Sequence, residues 1–251
     1  MHVPLQPPLF RFDWDRVRAA LTPRTRMIIV NSPQNPSCTV MSPSDLQELA
    51  RLAEERDLIV LSDEVYEQLV YDGAVHCSVL SDPALAARSL AVFSFGKSLH
   101  ATGLRVGYCI APAVLTTELR RVHQFNTFTI ATALQHAVAA YLGEKPGVFA
   151  ELAPFFTAKR RLLTEGLAGS VLRVLPSQGT YFTLVDYSAS QMLGALDDME
   201  AARVLLENVG VAAIPLTPFY REPVPHRLLR LCFAKQDATL ARAGERLRAL
   251  R

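Results

Sequence analysis

The chain has 251 residues, 50% of them hydrophobic and 20% charged, enough for a substantial core in one large domain or two smaller ones. Its 26 basic and 24 acidic residues are scattered, for a formal net charge of +2, so no charge block points to nucleic acid or an anionic membrane surface, and a small-molecule partner is expected. Apolar runs break off well before the roughly 18 residues of a membrane span, and residues 1–10 carry prolines where a leader would have a charged start and an apolar stretch, so a cytoplasmic protein is expected.

In chain order, the first half alternates short β-branched runs with helical patterns, which predicts a mostly parallel sheet covered by helices. The strands are expected at Met27–Val30, Leu58–Leu61, Leu90–Phe93 and Gly107–Ala111. Between the first two, Ser42 reads as an N-cap with Pro43 at N1 and Asp45 at N3, and Leu46, Leu49, Leu52 and Ala53 fall on one helical face. One long helical pattern runs from Val114 to about Leu142 and stops at Pro146-Gly147, followed by a helix near Leu152–Leu167. Strands at Val171–Leu175, Thr180–Val185, Val211–Ile214 and Leu228–Phe233, with helices at Met199–Glu207 and from Ala238, then describe a smaller α+β unit. The expected division is 1–145 for the larger α/β domain and 146–251 for the smaller one.

Open α/β sheets bind ligands beyond the carboxyl ends of their strands, and four polar segments fall there. They are Asn31-Ser32-Pro33-Gln34-Asn35-Pro36-Ser37, Ser62-Asp63-Glu64-Val65-Tyr66, Ser94-Phe95-Gly96-Lys97, and Arg105 after Thr102-Gly103. Together they supply a carboxylate, an amine, hydroxyls and a guanidinium. Cys38, Cys77, Cys109 and Cys232 are far apart with no Cys-x-x-Cys pair, which argues against a disulfide framework and a zinc site, and no metal is expected. Cys109 and Cys232 are expected to be buried and inert.

Asn35-Pro36-Ser37, Asp63 to Tyr66, and Ser94 to Gly107 are similar, in that order, to three motifs of fold-type I aminotransferases of class I and II that depend on pyridoxal 5'-phosphate: Asn-Pro-Thr-Gly, Asp-x-x-Tyr, and Ser-x-x-Lys with a later Arg-x-Gly. The resemblance implies a three-layer αβα large domain, present in part, with a smaller C-terminal α+β domain. It implies that Lys97 bonds the cofactor covalently and then moves a proton, that Asp63 pairs with the ring nitrogen, and that Asn35 and Tyr66 donate to the ring oxygen. Lys97, Asp63 and Tyr66 are the implied catalytic residues. Ser94 and Arg105 are implied for the phosphate, and Arg230, with Asn35 beside it, for the substrate carboxylate. His100, close to Lys97, reads as structural or exposed.

The neutral segment Gln124–Ala131 offers no second arginine for a distal carboxylate. The run His123 to Phe128, together with Gly179-Thr180-Tyr181-Phe182 and Val211-Ala212-Ala213-Ile214-Pro215, looks most like the methionine, glutamine and kynurenine aminotransferase branch, with Phe125 and Phe128 as candidate pocket or core residues. A neutral amino acid and a 2-oxo acid are thus the expected substrates, and a homodimer the expected assembly of an intact enzyme. Cys38 stands where the family's turn most often has glycine, a modest cost if its φ is negative. The family's glycine-rich phosphate turn is not found, so a segment is expected to be missing upstream. A β-lyase of the same fold, or a truncated non-catalytic remnant, are the alternatives.

Overall fold

A computed structural model describes residues 1–223 and 225–251, which group into two compact bodies. The first comprises Phe12–Pro33 and Val40–Leu152; the second comprises Met1–Arg11, Gln34–Thr39 and Ala153–Arg251.

The first body opens with a helix that the apolar pattern does not announce, α1 (Trp14–Ala20), started by Asp13, whose carboxylate accepts from Arg16 N at 3.0 Å. There follow β1 (Met27–Asn31), α2 (Pro43–Glu55), β2 (Ile59–Asp63), α3 (Pro83–Ala86), β3 (Ser89–Ser94), the single-turn α4 (Phe95–Ser98), β4 (Gly107–Ile110), α5 (Ala113–Asn126) and α6 (Thr132–Glu144). The four strands form one sheet in the order β1-β2-β3-β4, with β1, β2 and β3 parallel and β4 antiparallel to β3. α2 begins as its sequence dictates: Ser42 Oγ accepts from Asp45 N at 3.1 Å, and Asp45 Oδ2 accepts from Ser42 N at 3.0 Å. The other carboxylate oxygen of Asp45 accepts from Trp14 Nε1 at 2.9 Å, which ties α1 to α2. Leu46, Leu49, Ala50 and Ala53 of α2 pack on Val30, Val60, Ala91 and Phe93, one face of the sheet. Alternation along β1 sends Ile29 to the other face, where it is 66% exposed.

The long helix expected over 114–142 is two helices, separated at 127–131. The break contains neither glycine nor proline; Thr127, Thr129 and Ile130 are β-branched, and Phe128 takes a left-handed φ of 67°.

The second body holds α7 (Val148–Gly166) from Ala153 onward, β5 (Arg173–Val174), β6 (Phe182–Asp186), α8 (Asp198–Val204), β7 (Ile214–Pro215), β8 (Leu228–Cys232) and α9 (Asp237–Arg248). Its sheet is antiparallel throughout, in the order β5-β6-β8-β7. Phe10, from the first stretch of this body, is buried with Leu175, Leu184, Leu216 and Leu228. Helices α7 and α9 meet backbone to backbone at Gly166 and Gly244, where a Cβ added to Gly244 would lie 2.8 Å from Gly166 Cα. β5 and β7 are shorter than the apolar runs that foreshadow them, because only two residues of each pair with a neighbour.

Candidate active site

In the first body the chemistry-bearing residues gather at the carboxyl ends of β2 and β3. The backbone oxygen of Asp63 accepts from Ser32 N at 3.1 Å and from Asn31 Nδ2 at 2.9 Å, fixing the end of β1 against the end of β2. Its carboxylate accepts from Val65 N at 3.2 Å. Burial pushes the Asp63 carboxyl above its ordinary range, and the Val65 N–H and the charge of Lys97 only partly oppose it. Tyr66, buried, comes from the same turn, and Lys97 Nζ lies 5.9 Å from the centre of its ring.

Lys97 is placed by α4, which follows β3 without a linker and starts at Ser94. Ser94 pairs with Gly107, and Phe95 N donates to Val106 O at 3.1 Å, so the segment carrying Lys97 and the segment carrying Arg105 lie side by side. Both approaches depend on glycine. A Cβ on Gly107 would sit 2.4 Å from Phe93 O, and one on Gly96 would sit 3.0 Å from Thr102 Cα. Arg105 is exposed, adopts a left-handed φ of 55°, and donates Nη1 to Thr102 O at 3.0 Å. An amine, a half-buried carboxylate, a phenol and an exposed guanidinium are thus held on one sheet edge, a set suited to a small anionic aromatic carbonyl compound.

The second body holds the other two expected residues. Arg230 projects from β8 with its guanidinium carbon 4.0 Å from the centre of the Phe182 ring and 5.5 Å from that of Phe219. Nη1 donates to Asn35 Oδ1, while Nε is buried and has no hydrogen-bond partner among the described residues. No sequence signal singles out Phe219; its N donates to Leu216 O at 2.9 Å, and the start of its turn is fixed by the buried Asp198, whose Oδ2 accepts from Leu216 N at 2.7 Å and Thr217 N at 2.6 Å.

The Asn35 turn corrects the expectation for Cys38, whose φ is +62°, the left-handed conformation a glycine would adopt freely. Strong local bonding holds it there. Cys38 O accepts from Gln178 N at 2.8 Å and Gly179 N at 3.0 Å, and Gln34 O accepts from Cys38 N at 2.8 Å. The thiol is fully enclosed, and burial raises its pKa to about 12. Cys109 and Cys232 are half-buried and not enclosed as expected, since each lies on a strand face that the core does not cover fully. Phe125 and Phe128 are 87% and 74% exposed, so neither packs in a core. His100 is exposed. Among the described residues no helix is long and apolar enough to cross a membrane.

The fold is shared with aminotransferases of known structure. YbdL from Escherichia coli, whose structure and reactivity identified a methionine aminotransferase function, superposes with a TM-score of 0.93 at 48% identity, covering 97% of this chain and 64% of that one. N-succinyldiaminopimelate aminotransferase from Mycobacterium tuberculosis gives a TM-score of 0.91 at 38% identity, covering 98% and 64%. Kynurenine–oxoglutarate transaminase 1 of Mus musculus is 34% identical over 257 residues, 95% of this chain and 60% of that protein. The chain therefore spans a little under two thirds of the length of these relatives. The model of the family described as aminotransferase class I and II matches residues 1–247, and the chain belongs to that family.

Proposed function

We propose that this chain carries the catalytic residues of a pyridoxal 5'-phosphate-dependent aminotransferase that moves an amino group from a neutral amino acid (methionine, glutamine or an aromatic) to a 2-oxo acid. The observation that carries the reading is that Lys97, its Nζ 5.9 Å from the centre of the Tyr66 ring, lies near enough to Asp63 for its charge to act on that carboxyl, which burial nevertheless keeps above its ordinary range. That donor set fits the cofactor, because a protonated ring nitrogen would supply the charge that Asp63 lacks. When bound, pyridoxal 5'-phosphate supplies a covalent attachment point and an electron-withdrawing ring that acidifies the substrate Cα–H.

The protein's own residues do the rest. Lys97 would provide the amine for attachment and, when free, would serve as the base for the substrate Cα–H. Tyr66 would orient the ring oxygen, a role the resemblance also gives Asn35, and Ser94 with the Arg105 guanidinium would hold the phosphate. Arg230 takes the substrate carboxylate; its stack between Phe182 and Phe219 and its bond to Asn35 keep the guanidinium planar fork oriented. The neutral segment Gln124–Ala131 and the methionine and kynurenine transamination for which two of the relatives are named support a neutral substrate. The same reading makes the intact enzyme a cytoplasmic homodimer. Borohydride reduction of the chain incubated with pyridoxal 5'-phosphate, followed by peptide mass mapping, should place the label on Lys97; labelling of Lys145, Lys159 or Lys235 in its place would overturn the assignment.

A further inference from the structure

Glu64 follows Asp63 in the chain, yet its side chain turns inward and is 1% exposed. Oε1 accepts from Ser62 Oγ at 2.9 Å and from Val79 N at 3.0 Å, and Oε2 faces His76 Nε2 at 2.9 Å. Burial alone would push this carboxyl up, but the hydrogen bonds from His76, Ser78 and Val79 outweigh it and hold the group below its ordinary value. A buried carboxylate with this many donors is an anchor, since removing any one of them leaves charge uncompensated. His76 is kept for one bond: its Nδ1 is buried with no hydrogen-bond partner among the described residues, and the contact it makes runs through Nε2.

The anchored segment is the one that carries Asp63 and Tyr66. Glu64 N donates to Val92 O at 3.0 Å, Glu67 N to Glu64 O at 2.9 Å, and Leu69 N to Tyr66 O at 2.8 Å, so the backbone of the turn is closed on itself and on β3. The backbone bonds fix the turn to the sheet. The Glu64 carboxylate ties it to the 76–79 loop.

We infer that Glu64 and His76 are a positioning pair that sets the Asp63 carboxylate and the Tyr66 phenol relative to Lys97 without touching the reacting atoms. The inference rests on the cofactor reading above for its functional sense, and its test has an arm that does not. His76→Gln keeps an N–H donor for Glu64, whereas His76→Phe fills the space and donates nothing. In the cofactor-free chain, amide exchange at Val65, Tyr66 and Glu67 should rise roughly tenfold or more in His76→Phe and stay near the unmutated rate in His76→Gln. With pyridoxal 5'-phosphate and borohydride, the fraction of Lys97 labelled should fall in the phenylalanine variant and recover in the glutamine one. Equal exchange in all three chains overturns the inference, as does a rise spread evenly over β1–β4, the mark of a packing role. Lys97 labelled to the same substantial extent in all three also overturns it. If Lys97 is labelled in none, the cofactor reading fails, and the exchange arm still decides the pair.

Discussion

Ionising Asp63 costs the folded chain stability when nothing positive enough stands beside it. Its folded pKa lies above the ordinary carboxylate value because burial outweighs the Val65 N–H and Lys97. The folded state therefore holds the proton more tightly than the unfolded one. Stability falls as pH rises from the ordinary value, near 3.8, through the raised folded value, and the loss persists at neutral pH. Asn cannot ionise. Asp63→Asn should accordingly raise the melting temperature of the cofactor-free chain at pH 7, with the difference vanishing below about pH 4, while in an active form it should lower transamination by several orders of magnitude. Thermal unfolding at the two pH values checks the first part; a lower melting temperature at pH 7 would remove the argument. The placement of these residues was legible from order and spacing: Asp63, Tyr66, Ser94, Lys97 and Arg105 all lie beyond the β2 and β3 ends or in the segment beside them. The φ of Cys38 was not, because a sequence does not reveal that hydrogen bonds from residues 178 and 179 can hold a side-chain-bearing residue left-handed. Glu64 and His76 were overlooked for a related reason, as their partnership spans 12 residues and no periodicity reports it.

At the scale of elements, β3 and β4 approach each other through a single glycine. Gly107→Ala would bring a Cβ to 2.4 Å from Phe93 O, a backbone atom that cannot swing aside, so the pair must separate or β4 must shift. The expected cost is about 3 kcal/mol, read as a lower urea midpoint, and Lys97 labelling should fall with it because α4 hangs on the same register. A midpoint within error of the unmutated chain would show that β4 yields easily. The strands of the first sheet were legible to within about two residues because each is a short, largely apolar run set off by polar or turn-forming residues. The boundary inside 113–144 was not, since its break is made by β-branched and aromatic residues and not by glycine or proline. α1 escaped because its stabilising partner, Asp45, is 31 residues away.

For the molecule as a whole, the apolar surface left in contact with water is large: Ile29, Val114, Val122, Phe125 and Phe128 are each well over half exposed. Surfaces of this kind associate. The chain should therefore show concentration-dependent self-association in sedimentation velocity, weakened roughly tenfold or more by the double change Phe125→Ser and Phe128→Ser, given the transfer energy of two phenyl groups. Association unchanged by the pair would place the sticky surface elsewhere. The general fold class was legible at this scale, but the membership of the second body was not, since nothing in residues 1–11 or 34–39 foretells that they join residues 153–251. That composite membership has a temporal side. Asn35 and Arg230 are separated by 195 residues, and Leu5 and Tyr220 by 215. At a ribosomal pace of about 5–20 residues per second, Phe10 and the Asn35 turn wait roughly 10 to 40 seconds for their partners to be made. The second body is thus a late event relative to its own first segments, closing over Phe10 and the Asn35 turn only once the residues near 230 have been made, and those segments must be kept from strangers in the interval.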